Sequence, residues 1–212
     1  MKIRHVLSYF LVIIGICFSY GVSLAQTRGE LPIYKNEALG ITIIGPLGWF
    51  VAHSDEAQKI VSQAIGENRS VESVEEPALK IGVLVTFSKF PLGTAAQANP
   101  TITLSSEALP QSYNIKTTLD YANINILLTR KMLKDFELIK EPKLVNLNGR
   151  EGIVFMHEGT VIKGNREIRI RMLSYVFLKN DIAYSLNFAD KPDTFSENLA
   201  IAQTALNSFI LE

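Results

Sequence analysis

The residues best equipped for chemistry crowd the last third of the chain. Lys163, Arg166, Arg169 and Arg171 flank the dipeptide Gly164-Asn165. A cluster of guanidinium forks is the arrangement that grips a carboxylate, a phosphate or an acidic partner. Glu158 stands upstream and shares a strand face with Arg169 and Arg171 once the strands are paired. Two readings follow: a binding tip for anions, or a salt-bridged hairpin whose charges resist edge-to-edge aggregation. His157, with Ser174 and Asn187, forms a second polar group on an otherwise apolar face. It reads either as a ligand pocket with an imidazole–hydroxyl pair or as a core histidine bonded to polar neighbours. No oxyanion element or third orienting acid accompanies it.

Other combinations carry less. His53-Ser54-Asp55-Glu56 places an imidazole beside two carboxylates, but a metal centre needs three or four converging ligands. Capping of a following helix by Ser54 or Asp55 explains the acids with fewer assumptions. Glu67, Glu72, Glu75 and Glu76 match no calcium-loop spacing and read as a solvated acidic loop. No Walker loop, GxSxG, GxGxxG, HExxH or CxxC occurs, so no catalytic residue, metal or cofactor is assigned. The expectation is a protein that is not an enzyme.

The elements that position these residues are set by turns. Asn148-Gly149, Gly164-Asn165 and Asn180-Asp181 each separate β-rich runs, which predicts a meander over 141–147, 150–162, 167–178 and 182–188. Two-residue loops fix the register. Lys163 then pairs with Arg166, Glu158 with Arg171, Met156 with Leu173, Phe177 with Tyr184, Tyr175 with Leu186, and Leu173 with Phe188. That aromatic and aliphatic face should hold the main core. The other face carries Ile153, Phe155, His157, Met172, Ser174, Val176, Ser185 and Asn187, so both faces need cover. Helices are predicted near 54–65, over 119–134 through Leu119, Ala122, Ile126, Leu127, Arg130 and Leu133, and from Asp193 or Thr194 onward through Phe195, Leu199, Ala202, Leu206 and Phe209. Short strands are read at 31–35, 41–44, 49–51, 79–90 and 101–106. The class is α+β: an antiparallel sheet with a C-terminal meander and helices on both faces.

The N-terminus reads as an export signal. Lys2 and Arg4 precede an apolar run from Val6 to about Leu24, and Ser23-Leu24-Ala25 suits cleavage before Gln26. The run is also long enough for a retained anchor, but glycines and serines dilute it and no basic stop-transfer cluster follows. Cys17, the sole cysteine, lies inside it behind Ile16, which excludes a lipid-attachment site there. Removing residues 1–25 leaves one domain, 26–212, with no thiol and 19 basic against 21 acidic side chains. A near-neutral balance gives no electrostatic case for nucleic acid or an anionic membrane. The expected location is the periplasm or the exterior, with no membrane span after cleavage and a protein partner in the cell envelope.

Several fixed residues add a family. Tyr34, Gly40-Ile41-Thr42-Ile43, Pro46-x-Gly48-Trp49, Asn99-Pro100-Thr101-Ile102 and the Asn148-Gly149 turn give a chain that resembles the PsbP-like proteins over roughly 31–210. Their relatives include a Ran-binding nuclear import factor and the bacterial DcrB type. The resemblance implies an antiparallel sheet between helices, and accessory or partner-binding roles without catalytic residues. The expected function is thus an exported accessory or protein-binding module. The alternative is a carrier of a small apolar ligand or lipid in a sheet–helix cavity near Phe155, His157 and Met172.

Overall fold

Two asparagine-led turns organise the C-terminal half. The computed structural model describes residues 31–53, 82–92, 98–109, 114–163 and 166–212. The expected export segment 1–25, the helix expected near 54–65, the acidic stretch 66–77 and the turn Gly164-Asn165 lie outside the described residues. Asn148 and Gly149 have φ of 50° and 84°, and Asn180 and Asp181 have 51° and 60°. Positive φ at both central residues is the type I′ condition, whose twist suits a hairpin.

These turns join β6 (Lys134–Leu147) to β7 (Arg150–Lys163), and β8 (Arg166–Lys179) to β9 (Ile182–Asp190). The register is the one the turns dictate: Lys163 opposite Arg166, Glu158 opposite Arg171 and Met156 opposite Leu173. Likewise Leu173 faces Phe188, Tyr175 faces Leu186 and Phe177 faces Tyr184. Upstream come β1 (Ile33–Asn36), β2 (Ile41–Ile44), β3 (Phe50–His53), β4 (Gly82–Ser88) and β5 (Thr101–Ala108). The large sheet runs β3-β4-β5-β9-β8-β7-β6. A small sheet, β1-β2-β10, is closed by the short terminal strand β10 (Ile210–Leu211).

Helix α1 (Thr118–Met132) covers one face of the large sheet and α2 (Phe195–Ser208) the other. On the α2 side, Met156, Leu173, Phe177, Tyr184, Leu186 and Phe188 join Phe195, Leu206, Phe209 and the small-sheet residues Ile41 and Ile43 in one core. Ser208 ties α2 to the small sheet by accepting from Ile44 N and donating to Ile44 O, at 2.8 and 3.2 Å. Gly152 is required here, since a Cβ would stand 2.6 Å from the Phe177 ring.

Three expectations need correction. Helix α1 stops at Met132, and β6 begins at Lys134, seven residues ahead of the expected strand start. Asp135 at φ 53° and successive register shifts let β6 bend onto β7. The buried stripe of α1 is also rotated: Leu119 and Leu127 are 45% and 51% exposed, while Tyr121, Asn125 and Thr129 are buried with Ala122 and Ile126. The sheet beneath is polar at Glu107, Ser185 and Asn187; Tyr121 turns inward to meet Glu107, while Asn125 and Thr129 bond carbonyls of the helix itself. Finally, Thr194 stands at the N-cap of α2 but does not cap it through its side chain; its hydroxyl instead donates to Asp190 at 2.9 Å. No helix among the described residues is long and apolar enough to cross a membrane.

Candidate functional site

The strands of the large sheet end unevenly. Strand β8 pairs with β7 from Arg166 to Val176, but with β9 only from Arg171 onward. On the far side, β7 pairs with β6 only as far as Thr160. The β7–β8 tip therefore projects as a two-stranded ribbon, with a notch beside β8 where β9 has already turned away. An open groove of about 540 Å³ occupies this notch. It is lined by residues 166–169 of β8, by residues 191–193 after β9, and by Ala98. Successive strand side chains point to opposite faces, so a groove that touches four consecutive residues follows the strand's edge.

The far wall is held in place by Asp190. This buried carboxylate accepts from Lys191 N at 2.7 Å, Thr194 Oγ1 at 2.9 Å and Asn198 Nδ2 at 2.7 Å. Lys89 in turn donates to Asn198 Oδ1 at 2.8 Å. The chain thus leaves the sheet at a fixed angle, and Lys191-Pro192-Asp193 stands as a wall rather than a fourth partner for β8.

Arg169, Arg171 and Glu158 converge on the α2 face. Arg169 Nε lies 2.9 Å from Glu158 Oε1, and Arg171 binds Glu158 Oε2. Glu158 is buried, and Arg169 also reaches Glu137 at 3.7 Å. The Arg171 guanidinium sits 5.5 Å from the Phe195 ring centroid, close enough for a cation–π contact. An internal carboxylate thus occupies two of the expected arginines. Arg166 and Lys163 pair across the ribbon tip away from this cluster, and Glu167 bonds Lys134 at 2.9 Å. Arg169 and Arg171 thus belong to a salt-bridged part of the hairpin, and Arg166 stands beyond it at the ribbon's end.

His157 faces α1, buried between two rings: Phe136 at 5.5 Å and Phe155 at 5.9 Å, both stacked. Arg130 covers the outer side of Phe136 at 5.3 Å. Burial pushes the imidazole down to about 4 from 6.5, so it is neutral near pH 7. Ser174 and Asn187 are cross-strand neighbours on this face. Ser174 Oγ and Asn187 Nδ2 have no hydrogen-bond partner among the described residues. The rings of Phe136 and Phe155 flank the imidazole on this face.

A further polar cluster was missed by sequence reasoning. Tyr121 of α1 donates its hydroxyl to Glu107 Oε2 at 3.1 Å, and both are buried. Burial raises the Glu107 carboxyl from 4.5 to about 7, with the Tyr121 bond pulling the other way. The Tyr121 phenol is itself pushed up by burial and by the Glu107 charge. The available signal was Thr117-x-x-Asp120, a capping box that fixes the start of α1 just ahead of Tyr121. Among the described residues no three histidine, cysteine, aspartate or glutamate side chains converge as metal ligands.

Comparison with known proteins places this architecture. The chain superimposes on cyanobacterial PsbP from Synechocystis sp. PCC 6803 with a TM-score of 0.51 and 15% identity, covering 91% of this chain and 96% of that one. A protein of unknown function from Pseudomonas aeruginosa, PA94, gives a TM-score of 0.49 at 10% identity, covering 87% and 99%. LpqN of Mycobacterium tuberculosis, described as involved in cell envelope biogenesis, gives 0.38 at 14% identity, covering 60% and 71%. No protein-family model and no curated protein sequence matches the chain. The fold is α+β and PsbP-like.

Proposed function

We propose that this chain is an exported, non-enzymatic accessory module that binds a protein partner through the β7–β8 ribbon and the notch beside it. The observation that carries the reading is the groove along Arg166–Arg169, walled by Lys191-Pro192-Asp193. It joins exposed cations to an open strand edge on a rigid sheet, and surface features held by a scaffold are where partner binding concentrates. The N-terminal export pattern supports a partner outside the cytoplasm, in the periplasm or beyond.

The two internal arginines are poor probes of this role, because Arg169 and Arg171 hold buried Glu158. Arg166 and Lys191 line the groove and are not bonded to Glu158. Gentle crosslinking of the purified protein in cell-envelope extract should recover a defined partner. The Arg166→Glu/Lys191→Glu variant should lose it while still unfolding in one cooperative urea transition. Equal recovery by the variant and the wild type would sink the reading.

A further inference from the structure

Resting on that reading, we infer that the partner binds by strand addition: an extended segment bearing carboxylates lies along the notch and pairs with β8. A hairpin closed by Lys163 and Arg166 bonds that pair to each other, and bonded pairs then alternate along the ladder. Arg166, Ile168 and Ile170 point their backbone groups to β7, while Glu167 and Arg169 point theirs into the notch. The β8–β9 hairpin gives the same parity independently, since Lys179–Ile182 closes it and Arg171 faces Asp190 as a bonded pair. Glu167 and Arg169 thus offer two N–H and two C=O groups that β9 would have bonded had it continued. No described residue pairs with them as a strand.

The long outer strand β6 is blunted by Pro142, Lys140, Lys143 and successive register shifts, and β3 at the far edge has four residues. These are the usual devices against unwanted pairing. The β8 edge has neither bulge nor proline from Arg166 to Ile170, and its five residues span about 17 Å. An edge without bulge or proline that no described strand covers is a site for β-augmentation.

Lys191 follows the last β9 pair and so marks the inner end of the notch, while Arg166 marks its outer end. Three cations, Arg166, Arg169 and Lys191, line the groove against two acids, Glu167 and Asp193, of which Glu167 is paired with Lys134. A cation at each end of a five-residue edge suits an extended segment with carboxylates toward both ends.

The test uses a fluorescein-labelled decapeptide of alternating valine and glutamate, read by anisotropy. Its valine–lysine counterpart and an analogue N-methylated at alternate residues serve as comparisons. The acidic peptide should bind, the basic one should not, and N-methylation should weaken binding about tenfold by removing backbone bonds. Glu167→Pro should weaken it similarly, because that N–H faces the notch and the β7 ladder keeps its own bonds. If Glu167→Pro fails to fold, the methylated peptide still decides the matter. Weakening by Arg166→Glu/Lys191→Glu, with no effect of Glu167→Pro or methylation, would leave partner binding standing and overturn strand addition. No binding of the acidic peptide to the wild type would overturn the acidic-segment inference. Self-association of the wild type that Glu167→Pro abolishes would assign the edge to a second copy of this chain and overturn it too.

Discussion

Glu107 and His157 hold opposite and nearly matched acid–base penalties, and separating them is the sharpest test of the polar sheet face under α1. Moving Glu107 from 4.5 to about 7 disfavours its ionised form by about 3 kcal/mol. Moving His157 from 6.5 to about 4 disfavours its cation by a similar amount. The signs are opposed. As pH rises from 4.5, the unfolded Glu107 ionises while the folded one stays protonated, so its stability contribution is lost at up to about 1.4 kcal/mol per pH unit until pH 7. Over the same range the unfolded His157 sheds its proton while the folded one is already neutral. Its contribution is regained at the same rate, from pH 4 up to 6.5. Between pH 4.5 and 6.5 the two slopes cancel. Urea midpoints read from Trp49, the sole tryptophan and a buried one, would measure this by linear extrapolation. Glu107→Gln keeps an acceptor for Tyr121 and should expose the histidine slope. Its stability relative to wild type should climb by about 3 kcal/mol from pH 4.5 to pH 8. His157→Phe keeps a ring between Phe136 and Phe155 and should expose the opposite slope, whatever its offset at a single pH. Subtraction from wild type removes the contribution of surface carboxylates. Difference curves flat across pH 4–8 for both variants would refute the reasoning.

Other outcomes follow from the ion cluster and the core. Glu158→Gln should destabilise by about 1–3 kcal/mol in urea unfolding, a figure kept low because both arginines remain partly hydrated. Gly152→Ala should cost at least about 1 kcal/mol, since its Cβ would collide with the Phe177 ring and the Val176 carbonyl. A thermal melt with no loss would show that β7 and β8 can separate there. Thr117→Ala should cost about 1 kcal/mol by removing the cap that bonds Asp120 N at 3.1 Å, and Thr117→Ser should restore most of it.

The meander was legible because its information is local. Two-residue turns and alternating side chains fix register and faces together, so Glu158, Arg169 and Arg171 could be placed side by side from residue types alone. The rotation of α1 was not legible from its apolar spacing. Leu119 and Leu127 fit a helical stripe as well as Ala122 and Ile126 do, and the choice is made by a partner distant in sequence: the polar patch at Glu107, Ser185 and Asn187. The early start of β6 was hidden for a similar reason, since the bulged pairing to β7 supplies what the residues Lys134 to Lys140 do not show alone. The notch was also out of reach. It exists because β9 ends at Asp190 while β8 begins at Arg166, and the turn that ends β9 is set by Asp190 bonding Thr194 and Asn198. What the sequence offered was the cations; their use by Glu158 inside the sheet, or by the groove outside it, is a matter of which side of the ribbon each faces.

The central claim is that β8 presents an open edge for a partner strand, and amide hydrogen exchange at four consecutive residues tests it most directly. In the isolated protein the Ile168 and Ile170 amides, bonded to β7, should exchange slowly, while those of Glu167 and Arg169 should exchange fast. Saturation with the acidic peptide should slow Glu167 and Arg169 and leave their neighbours unchanged. Protection of Glu167 and Arg169 already in the isolated protein, or their continued fast exchange in the complex, would contradict the account.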